Sequence, residues 1–164
     1  MISEPRVHRA QADDIDAATL YRILRLRVEV FVVEQACPYP ELDGRDLEPT
    51  TRLFWISDGS APDGDGDVEA GVVPATLRLL EEPQTDGRQV FRIGRVCTER
   101  NHRGRGLVAM LMTAALDEVG ERPCRIEAQA YLTEMYANFG FARDGDEYLE
   151  DGIPHVSMLR AGPR

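Results

Sequence analysis

A short glycine-rich segment stands directly before an apolar helix in this sequence. Residues 101–106 read NHRGRG, and the segment that follows, LVAMLMTAAL, has apolar residues at helical spacing. Gly104 and Gly106 allow the backbone to turn tightly, and the first NH groups of the helix have no partner within the helix. These NH groups, the positive end of the helix dipole and the three basic side chains of the segment together predict an anion-binding site.

The sequence of this turn narrows the kind of anion that it binds. It lacks the GK[ST] ending of a nucleoside-triphosphate loop, and it lacks the third glycine and the downstream acid of a dinucleotide-binding fold. We therefore interpret it as a turn that holds a pyrophosphate through backbone NH groups without a metal ion. Coenzyme A carries such a pyrophosphate. The alternative is a plain interaction module, in which the turn contacts an anionic partner of another kind.

The overall composition limits the classes of partner. The chain has 164 residues, of which 43% are hydrophobic, so we expect a single domain over residues 1–164 with one sizeable core. Its formal net charge of -10 argues against nucleic acid as the main partner, since backbone-driven binding to phosphates needs an extended basic face. No apolar run approaches membrane-spanning length, and the N-terminal residues have no apolar core, so we expect no membrane partner and a cytoplasmic location.

Residues that commonly bind metal ions do not form a metal-site pattern. The three cysteines are scattered without CxxC or histidine spacing, so we expect reduced thiols and no metal ion. Residues 63–67, DGDGD, begin like a calcium loop, but Val68 and Pro74 stand where that loop needs a glycine and a glutamate. We therefore expect no calcium site there.

Apolar spacing and turn residues predict a series of helices and strands. Asp13 or Asp14 can cap a first helix that ends near Gln35. The loop after it, residues 36–49, has three prolines and a DG pair and is predicted to hold one short helical turn. Strands are predicted at residues 6–10, 51–57, 71–81, 89–98, 124–130, 141–148 and 155–160. Further helices are predicted at residues 107–119, stopped by Pro123, and 131–140.

These motifs resemble the signature of a known family. A strand, a glycine turn and a helix in this order resemble the Gcn5-related N-acetyltransferase (GNAT) superfamily. Its acetyl-CoA signature, Q/R-x-x-G-x-G/A, is matched by residues 101–106 except at the first place, where Asn101 stands instead of Gln or Arg. The family often has a tyrosine shortly before a GF pair, and TEMYANFGF puts Tyr136 there. The chain looks like the ElaA-like branch of bacterial N-acetyltransferases in LRLRVEVFVVEQACPYPELDGRDL, IGRV, EAQAYLTEMYANFGF and YLEDGIPHVSM, so the resemblance covers nearly the whole chain.

The resemblance implies an α/β (α+β) GNAT fold with a central, mixed and mostly antiparallel sheet of about six or seven strands, flanked by helices and splayed at the acetyl-CoA site. It further implies an acetyl-CoA-dependent N-acetyltransferase without a metal ion, in which a primary amine attacks the thioester directly. The acceptor can be a small molecule or a peptide, and both alternatives are left open. Whether the protein forms a homodimer is also left open. The alternative function is a catalytically silent acyl-CoA sensor or scaffold. The implied acetyl-CoA contacts are Val96, Cys97, Thr98, Arg103, Gly104, Arg105, Gly106 and Leu107.

Direct transfer needs a proton donor for the leaving thiolate and a proton acceptor for the amine. The resemblance assigns the donor to Tyr136, and Tyr131 on the same short helix is the reserve candidate. Glu34, at the end of the first helix, and His155, after the last turn, are the candidate proton acceptors. The structural alternatives are pairing of Glu34 with a neighbouring arginine and a hydrogen-bonded, structural His155.

The loop after the first helix is rich in acids, among them Glu41, Asp43 and Asp46. For Asp43, which precedes Gly44, a role in the turn is the favoured interpretation. The acids of residues 34–48 favour a cationic acceptor. Cys97, on the strand beside the expected thioester position, has no evident partner histidine, so we interpret it as a small buried core residue.

Overall fold

The computed structural model describes residues 4–57 and 71–162, which form one eight-stranded sheet with helices on both faces. The strands are β1 (Arg6–Ala10), β2 (Arg52–Ser57), β3 (Ala75–Pro83), β4 (Gln89–Thr98), β5 (Cys124–Gln129), β6 (Ala142–Arg143), β7 (Tyr148–Glu150) and β8 (Ile153–Arg160). The helices are α1 (Ala17–Arg27), continued by a π-helical stretch (Val28–Glu34), α2 (Leu107–Val119) and α3 (Thr133–Ala137). Short 3₁₀ turns lie at Ala12–Asp14, Arg45–Leu47, Arg100–His102 and Ala130–Leu132. The calcium-like tract at residues 63–67, with Val68, lies outside the described residues.

The order of strands across the sheet is β1-β2-β3-β4-β5-β8-β6, and β7 also pairs with β8. Every pair of neighbours is antiparallel except β4 and β5, which are parallel, so the expected mixed and mostly antiparallel sheet is confirmed. The strand predicted at residues 141–148 is wrong in one respect, because residues 144–147 leave the sheet and divide it into β6 and β7. This segment, DGDE, has no apolar side chain to bury, and Gly145 has a φ of 138°. The sheet over the described residues therefore has eight strands.

The helices α1 and α2 pack on opposite faces of the sheet. Side chains alternate along a strand, so that Leu53 of β2 belongs to the core under α1 and Phe54 to the core under α2. The larger core is formed with Leu111, Met112 and other apolar residues of α2, and the smaller core with apolar residues of α1. Because both faces of β3 are covered, its first six residues are all buried, including Thr76 and Arg78, which donate hydrogen bonds to Phe54 and Asp43.

The parallel strands β4 and β5 pair over three residues and then separate. Their pairing begins at Phe91 and ends at Ile93 on the β4 side. Beyond that point β4 continues to Thr98 and β5 to Gln129 with no pairing between them in the described chain. The predicted splay of the sheet is therefore confirmed, and it leaves a gap between these two strands.

A β-bulge in β4 accompanies this gap. Gly94 and Cys97 of β4 stand opposite Arg78 and Thr76 of β3, so β4 has one residue more than its partner over this stretch. Arg95, inside the bulge, has a left-handed φ of 53°. The bulge turns Arg95 toward the loop after α1 while the strand continues toward α2.

The start of α1 differs from the prediction. Its N-cap is Asp16, whose carboxylate accepts a hydrogen bond from the NH of Thr19 at 2.9 Å. Asp13 and Asp14 instead belong to the 3₁₀ turn that precedes the helix. The chain returns to extended backbone at Ile15, which is buried, and this interruption moves the cap to Asp16.

The helix ends agree with the sequence only in part. The helix predicted at residues 131–140 is shorter in the fold, because Ala130–Leu132 form a 3₁₀ turn and α3 ends at Ala137. The helical path that starts with α1 reaches Gln35 as predicted, although its last part has π-helical hydrogen bonding. The helix α2 ends at Gly120, whose φ is 61° and whose NH donates to the carbonyl of Leu116 at 2.9 Å. Pro123 lies beyond this end and does not itself stop the helix.

Candidate active site

One cavity of about 1100 Å³ lies at the gap between β4 and β5. Its walls come from β4, β5, the start of α2, α3, the π-helical stretch and the turn between β7 and β8. All the residues predicted for acetyl-CoA binding and catalysis line it, namely Glu34, Val96, Cys97, Thr98, Arg103, Gly104, Arg105, Gly106, Leu107, Tyr136 and His155. The fold thus gathers, around one space, residues that are far apart in the sequence.

The glycine turn forms the wall of the cavity at the start of α2. Gly104 and Gly106 have left-handed φ angles of 74° and 75°, which favour glycine over any residue with a side chain. No side chain of the described residues caps α2, and its first turn contains no acid, so its first NH groups are available to an anion. An added Cβ at either glycine would meet open space. The backbone conformation, rather than crowding, is therefore what requires glycine here.

Arg103 joins this turn to the end of the π-helical stretch. Two guanidinium nitrogens lie 2.8 and 2.9 Å from the carboxylate of Glu34, and Nε donates to the carbonyl of Thr98 at 3.2 Å. The hydrogen bond from Arg103 lowers the pKa of Glu34, which makes this carboxylate a weaker base than a free one. The pairing with an arginine that was the structural alternative for Glu34 is thus present in the fold.

Residues 96–98 of β4 border the cavity along the unpaired edge of the strand. The NH and carbonyl groups on this edge have no partner strand in the described chain, so an extended ligand can hydrogen-bond to them as a neighbouring strand would. Cys97 belongs to the core under α1, and burial raises the pKa of its thiol. A thiol that stays protonated is a poor nucleophile, which agrees with its interpretation as a core residue.

Tyr136 of α3 is 4% exposed, and its ring packs edge-to-face against Phe141 with 6.4 Å between the ring centroids. The Phe of the GF pair therefore positions the tyrosine. Within the described residues the Tyr136 hydroxyl has no hydrogen-bond partner, and the side chain lines the cavity. Burial raises its pKa, so the phenol stays protonated and can donate a proton. Tyr131 also lines the cavity but is 76% exposed.

His155, at the start of β8, has one ring nitrogen fixed by the backbone. Its Nδ1 lies 2.7 Å from the carbonyl oxygen of Ile153, and because a carbonyl only accepts, Nδ1 carries the hydrogen. Nε2 is then the nitrogen with a lone pair in the neutral ring, and it lies 3.9 Å from the carboxylate of Glu150. The ring stacks on Tyr148 with centroids 5.9 Å apart. This geometry leaves Nε2 able to accept a proton.

The acids of the loop after α1 are paired with arginines, which the sequence analysis did not find. Arg27 is 1% exposed and bonds to Glu41 and Asp46, with distances of 2.5 and 2.6 Å. Arg78 donates to both carboxylate oxygens of Asp43 at 2.8 and 2.9 Å. Arg95 contacts Glu41 at 2.7 Å and Asp43 at 3.2 Å. We call these six residues the arginine network.

The arginine network is electrically balanced, since three guanidiniums face three carboxylates. The network itself therefore leaves no excess negative charge on Glu41, Asp43 and Asp46, and the cationic acceptor stays a prediction. The turn role of Asp43 is present, because its Oδ1 accepts from the NH of Arg45 at 3.0 Å. Burial by itself would raise the pKa of Asp43, but the bonds from Arg78 and from this NH hold it well below its usual range. The sequence feature that could have indicated this network is the position of Arg27 and Arg78 within runs of apolar residues.

A second row of charges crosses the α1 side of the cavity. Arg45 lies 2.8 Å from Glu82 of β3, and Arg92 of β4 donates to Glu82 at 3.0 Å. Arg92 also donates to Glu127 of β5 at 2.9 Å. The hydroxyls of Tyr148 and Ser157 each donate to Glu127 at 2.5 Å. Burial raises the pKa of Glu127, but these hydrogen bonds outweigh it, and the pKa is lowered.

The α1 side of the cavity has more negative than positive charge. The second row is balanced on the cavity wall, where Glu82 and Glu127 face Arg45 and Arg92. The turn between β7 and β8 adds Glu150 and Asp151, both exposed and both on the cavity wall. The glycine turn at the other end carries Arg103 and Arg105 instead. The two ends of the cavity therefore favour ligand groups of opposite charge.

Residues 4–57 and 71–162 contain neither a metal-site cluster nor a helix that could span a membrane. No group of three or more histidine, cysteine, aspartate or glutamate side chains is placed to hold a metal ion there. None of the helices within those two ranges is long and apolar enough to cross a membrane. Cys37, Cys97 and Cys124 are all free and buried.

Comparisons with known proteins give a consistent result. The family model described as Acetyltransferase (GNAT) domain matches residues 81–160. A UPF0039 protein of Mycobacterium tuberculosis is 61% identical over 156 residues, which cover 95% of this chain and 93% of that protein. Protein ElaA of Escherichia coli is 35% identical over 153 residues, 90% of each chain.

Solved structures extend this similarity to the fold. The crystal structure of Escherichia coli ElaA superposes with a TM-score of 0.79 at 30% identity, covering 96% of this chain and 99% of that one. The crystal structure of an acyl-CoA N-acyltransferase from Pseudomonas aeruginosa gives a TM-score of 0.78 at 39% identity, covering 96% of this chain and 100% of that one.

Proposed function

Because the chain belongs to the GNAT superfamily, in its ElaA-like branch, we propose that it transfers an acetyl group from acetyl-CoA to a primary amine. The proposed acceptor molecule carries a further positive charge besides the reacting nitrogen. The observation that carries the proposal is one cavity that joins the glycine turn, the unpaired edge of β4 and Tyr136. The relative from Pseudomonas aeruginosa is named an acyl-CoA N-acyltransferase, which supports this class of reaction. The proposed location is the cytoplasm, supported by the three free thiols.

The residues at the gap fit acetyl-CoA. The NH groups after Gly106, with Arg103 and Arg105, suit the pyrophosphate, and the unpaired edge of β4 suits the amide groups of the pantetheine arm. A free NH on that edge is the proposed partner of the thioester oxygen. When bound, acetyl-CoA supplies a thioester whose carbonyl carbon bonds to the amine nitrogen as its C–S bond breaks, giving an amide and the free thiol of CoA.

Two side chains handle the protons of this reaction. Tyr136 gives its hydroxyl proton to the leaving sulfur, a role supported by its protonated state and its position in the cavity. His155 takes the proton of the attacking nitrogen at Nε2, since Nδ1 is held by the carbonyl of Ile153. Solvent then carries that proton back to the tyrosine, so the enzyme returns to its starting state. Glu34 is the weaker candidate because Arg103 occupies its carboxylate.

The proposed acceptor is cationic because of the charge at the α1 side of the cavity. The arginine network and the second row contribute no net charge there, whereas the turn between β7 and β8 leaves the carboxylates of Glu150 and Asp151 in excess. A positively charged group on the acceptor, beyond the reacting amine, is stabilised by that excess. The proposal therefore predicts that a diamine is a better acceptor than a monoamine or an amino acid of the same length.

The first experiment measures cofactor binding by isothermal titration of acetyl-CoA into the wild type, Gly106→Trp and Gly87→Trp. Gly87 is the matched control, because it also has a left-handed φ, 79°, with open space around it, but lies outside the cavity. We expect binding to be lost in Gly106→Trp and retained in Gly87→Trp. No binding to the wild type would make the turn a structural helix entry and would remove the proposal.

The second experiment follows release of the CoA thiol with 1,4-diaminobutane, n-butylamine and 4-aminobutanoate as acceptors. We expect the highest kcat/KM for the diamine and the lowest for the zwitterion. Acetyl-CoA binding without thiol release across a broad panel of amines would instead identify an acyl-CoA sensor or scaffold. Salt-sensitive binding to polyanions with no selectivity for CoA would identify an anion-binding interaction module.

A further inference from the structure

Gly94 of β4 lies beside the gap, and its backbone does not need to be glycine. Unlike the glycines of the turn before α2, it does not have a left-handed φ, and an added Cβ would meet no heavy atom within 4 Å. Glycine in a strand weakens the strand and packs nothing. The space that its missing side chain leaves belongs to the cavity. This glycine is therefore best explained by what the space must hold.

The space over Gly94 lies between residues of the two neighbouring strands. On one side Arg78 of β3 stands directly opposite Gly94. On the other side the last pair of β4 and β5 is Ile93 with Ile126, so the next step of the register brings Glu127 level with Gly94. Glu127 is on the same face, because Arg92, two residues before Gly94, donates to it at 2.9 Å.

The two flanking side chains, Arg78 and Glu127, differ in their remaining capacity for hydrogen bonds. Arg78 donates to both oxygens of Asp43, and its buried Nε has no hydrogen-bond partner among the described residues, but an arginine N–H cannot accept a hydrogen bond from an amine. Oε2 of Glu127 accepts from Tyr148 and Ser157, whereas Oε1 accepts only from Arg92 among the described residues. A carboxylate oxygen accepts two hydrogen bonds, so Oε1 has capacity for one further N–H donor.

We propose that Gly94 and Glu127 form the subsite of the reacting amine. The nitrogen lies over Gly94, beside the unpaired edge of β4, and donates a hydrogen bond to Oε1 of Glu127. Gly94 determines specificity by having no side chain, and Glu127 binds and orients the amine. This inference rests on the proposed transfer to an amine, and it adds the residues that select and hold the acceptor.

The steric part is tested with Gly94→Ala and Gly94→Val, with Gln89→Val as the matched control. Gln89 is exposed on the same strand and lies outside the cavity. With 1,4-diaminobutane as acceptor we expect kcat/KM to fall at least about tenfold in Gly94→Val and by less in Gly94→Ala. Acetyl-CoA binding and the thermal midpoint should not fall, because valine favours strands. Full activity of Gly94→Val would overturn the subsite.

The charge part is tested with Glu127→Gln, which keeps the size of the side chain. We expect the KM for 1,4-diaminobutane to rise about tenfold or more, as for a lost bond to a charged group, with the KM for acetyl-CoA unchanged. If the KM for 1,4-diaminobutane and the KM for acetyl-CoA rose equally, or if neither rose, the role of Glu127 in binding the amine would be contradicted.

A third measurement does not depend on turnover. Amide chemical shifts of the wild-type protein with CoA are followed by NMR as 1,4-diaminobutane is added, and the largest shifts are expected at Gly94 and Glu127. Shifts elsewhere would overturn the subsite. Shifts at these two residues without thiol release by any amine would keep the subsite and refute the transferase proposal, so the two failures are distinguishable.

Discussion

Substitution of Arg27 by methionine tests whether the arginine network holds the loop after α1 in place. Arg27 is 1% exposed and bonds to two carboxylates from that loop, Glu41 and Asp46. Removing one partner of a buried ion pair costs about 3–5 kcal/mol, because the other charge stays buried. In the variant, Glu41 still pairs with Arg95 and Asp46 still pairs with Arg78. The expected loss in the free energy of unfolding is therefore near the lower end of that range, about 3 kcal/mol.

The assay is urea unfolding followed by circular dichroism, with Arg25→Met as the control. Arg25 lies on the same helix and pairs with Glu29 at 2.8 Å, but both side chains are well exposed. We expect a large drop in the midpoint for Arg27→Met with an unchanged m-value, and almost none for Arg25→Met. In a thermal scan, the drop corresponds to roughly 2–4 °C per kcal/mol for a chain of this size. Equal midpoints for the two variants would refute the reasoning.

Three further predictions concern single side chains. Tyr136→Phe should lower kcat about a hundredfold or more while the titrated affinity for acetyl-CoA stays the same, and an unchanged kcat would exclude it as the proton donor. Glu34→Gln should tighten acetyl-CoA binding, since it frees Arg103, and a hundredfold loss of kcat would instead make Glu34 the base. Asp43 has a lowered pKa in the fold, so its contribution to stability is present above the ordinary value near 4 and is lost as the pH falls below it. Unfolding free energies measured from pH 7 to pH 3 should therefore fall less steeply for Asp43→Asn, and identical slopes would contradict this assignment.

The elements that bury a regular apolar pattern were predictable from the sequence. The strand predicted at residues 89–98 and the one at residues 6–10 have those bounds in the fold, and α2 spans the predicted residues 107–119. Local patterns of this kind depend on neighbours within a few residues, so one sequence is sufficient to find them. The glycine turn before α2 is predictable for the same reason, because the left-handed conformation of Gly104 and Gly106 is a local property.

The charged contacts were not predictable, because they join residues that are far apart in the chain. An arginine in an apolar run, such as Arg27, indicates a buried partner but does not tell which carboxylate it is. The pairing of Arg78 with Asp43 depends on how the loop folds over β3, which no local pattern specifies. The role of Gly94 depends likewise on the separation of two strands that are about 30 residues apart in sequence.

The β-bulge in β4 also changes which side of the sheet each later residue serves. In a regular strand every second residue faces the same way, and one extra residue reverses that alternation for all that follow. Val96 therefore packs with the α2 core and Cys97 with the α1 core, while Arg92 and Arg95, three residues apart, both bond to groups on the α1 side. If β4 ran straight with Arg95 still in the chain, Val96 and Cys97 would exchange these surroundings, whereas deletion of Arg95 would leave both side chains on their present faces and remove only its guanidinium. The bulge thus determines which face of the sheet Val96 and Cys97 occupy.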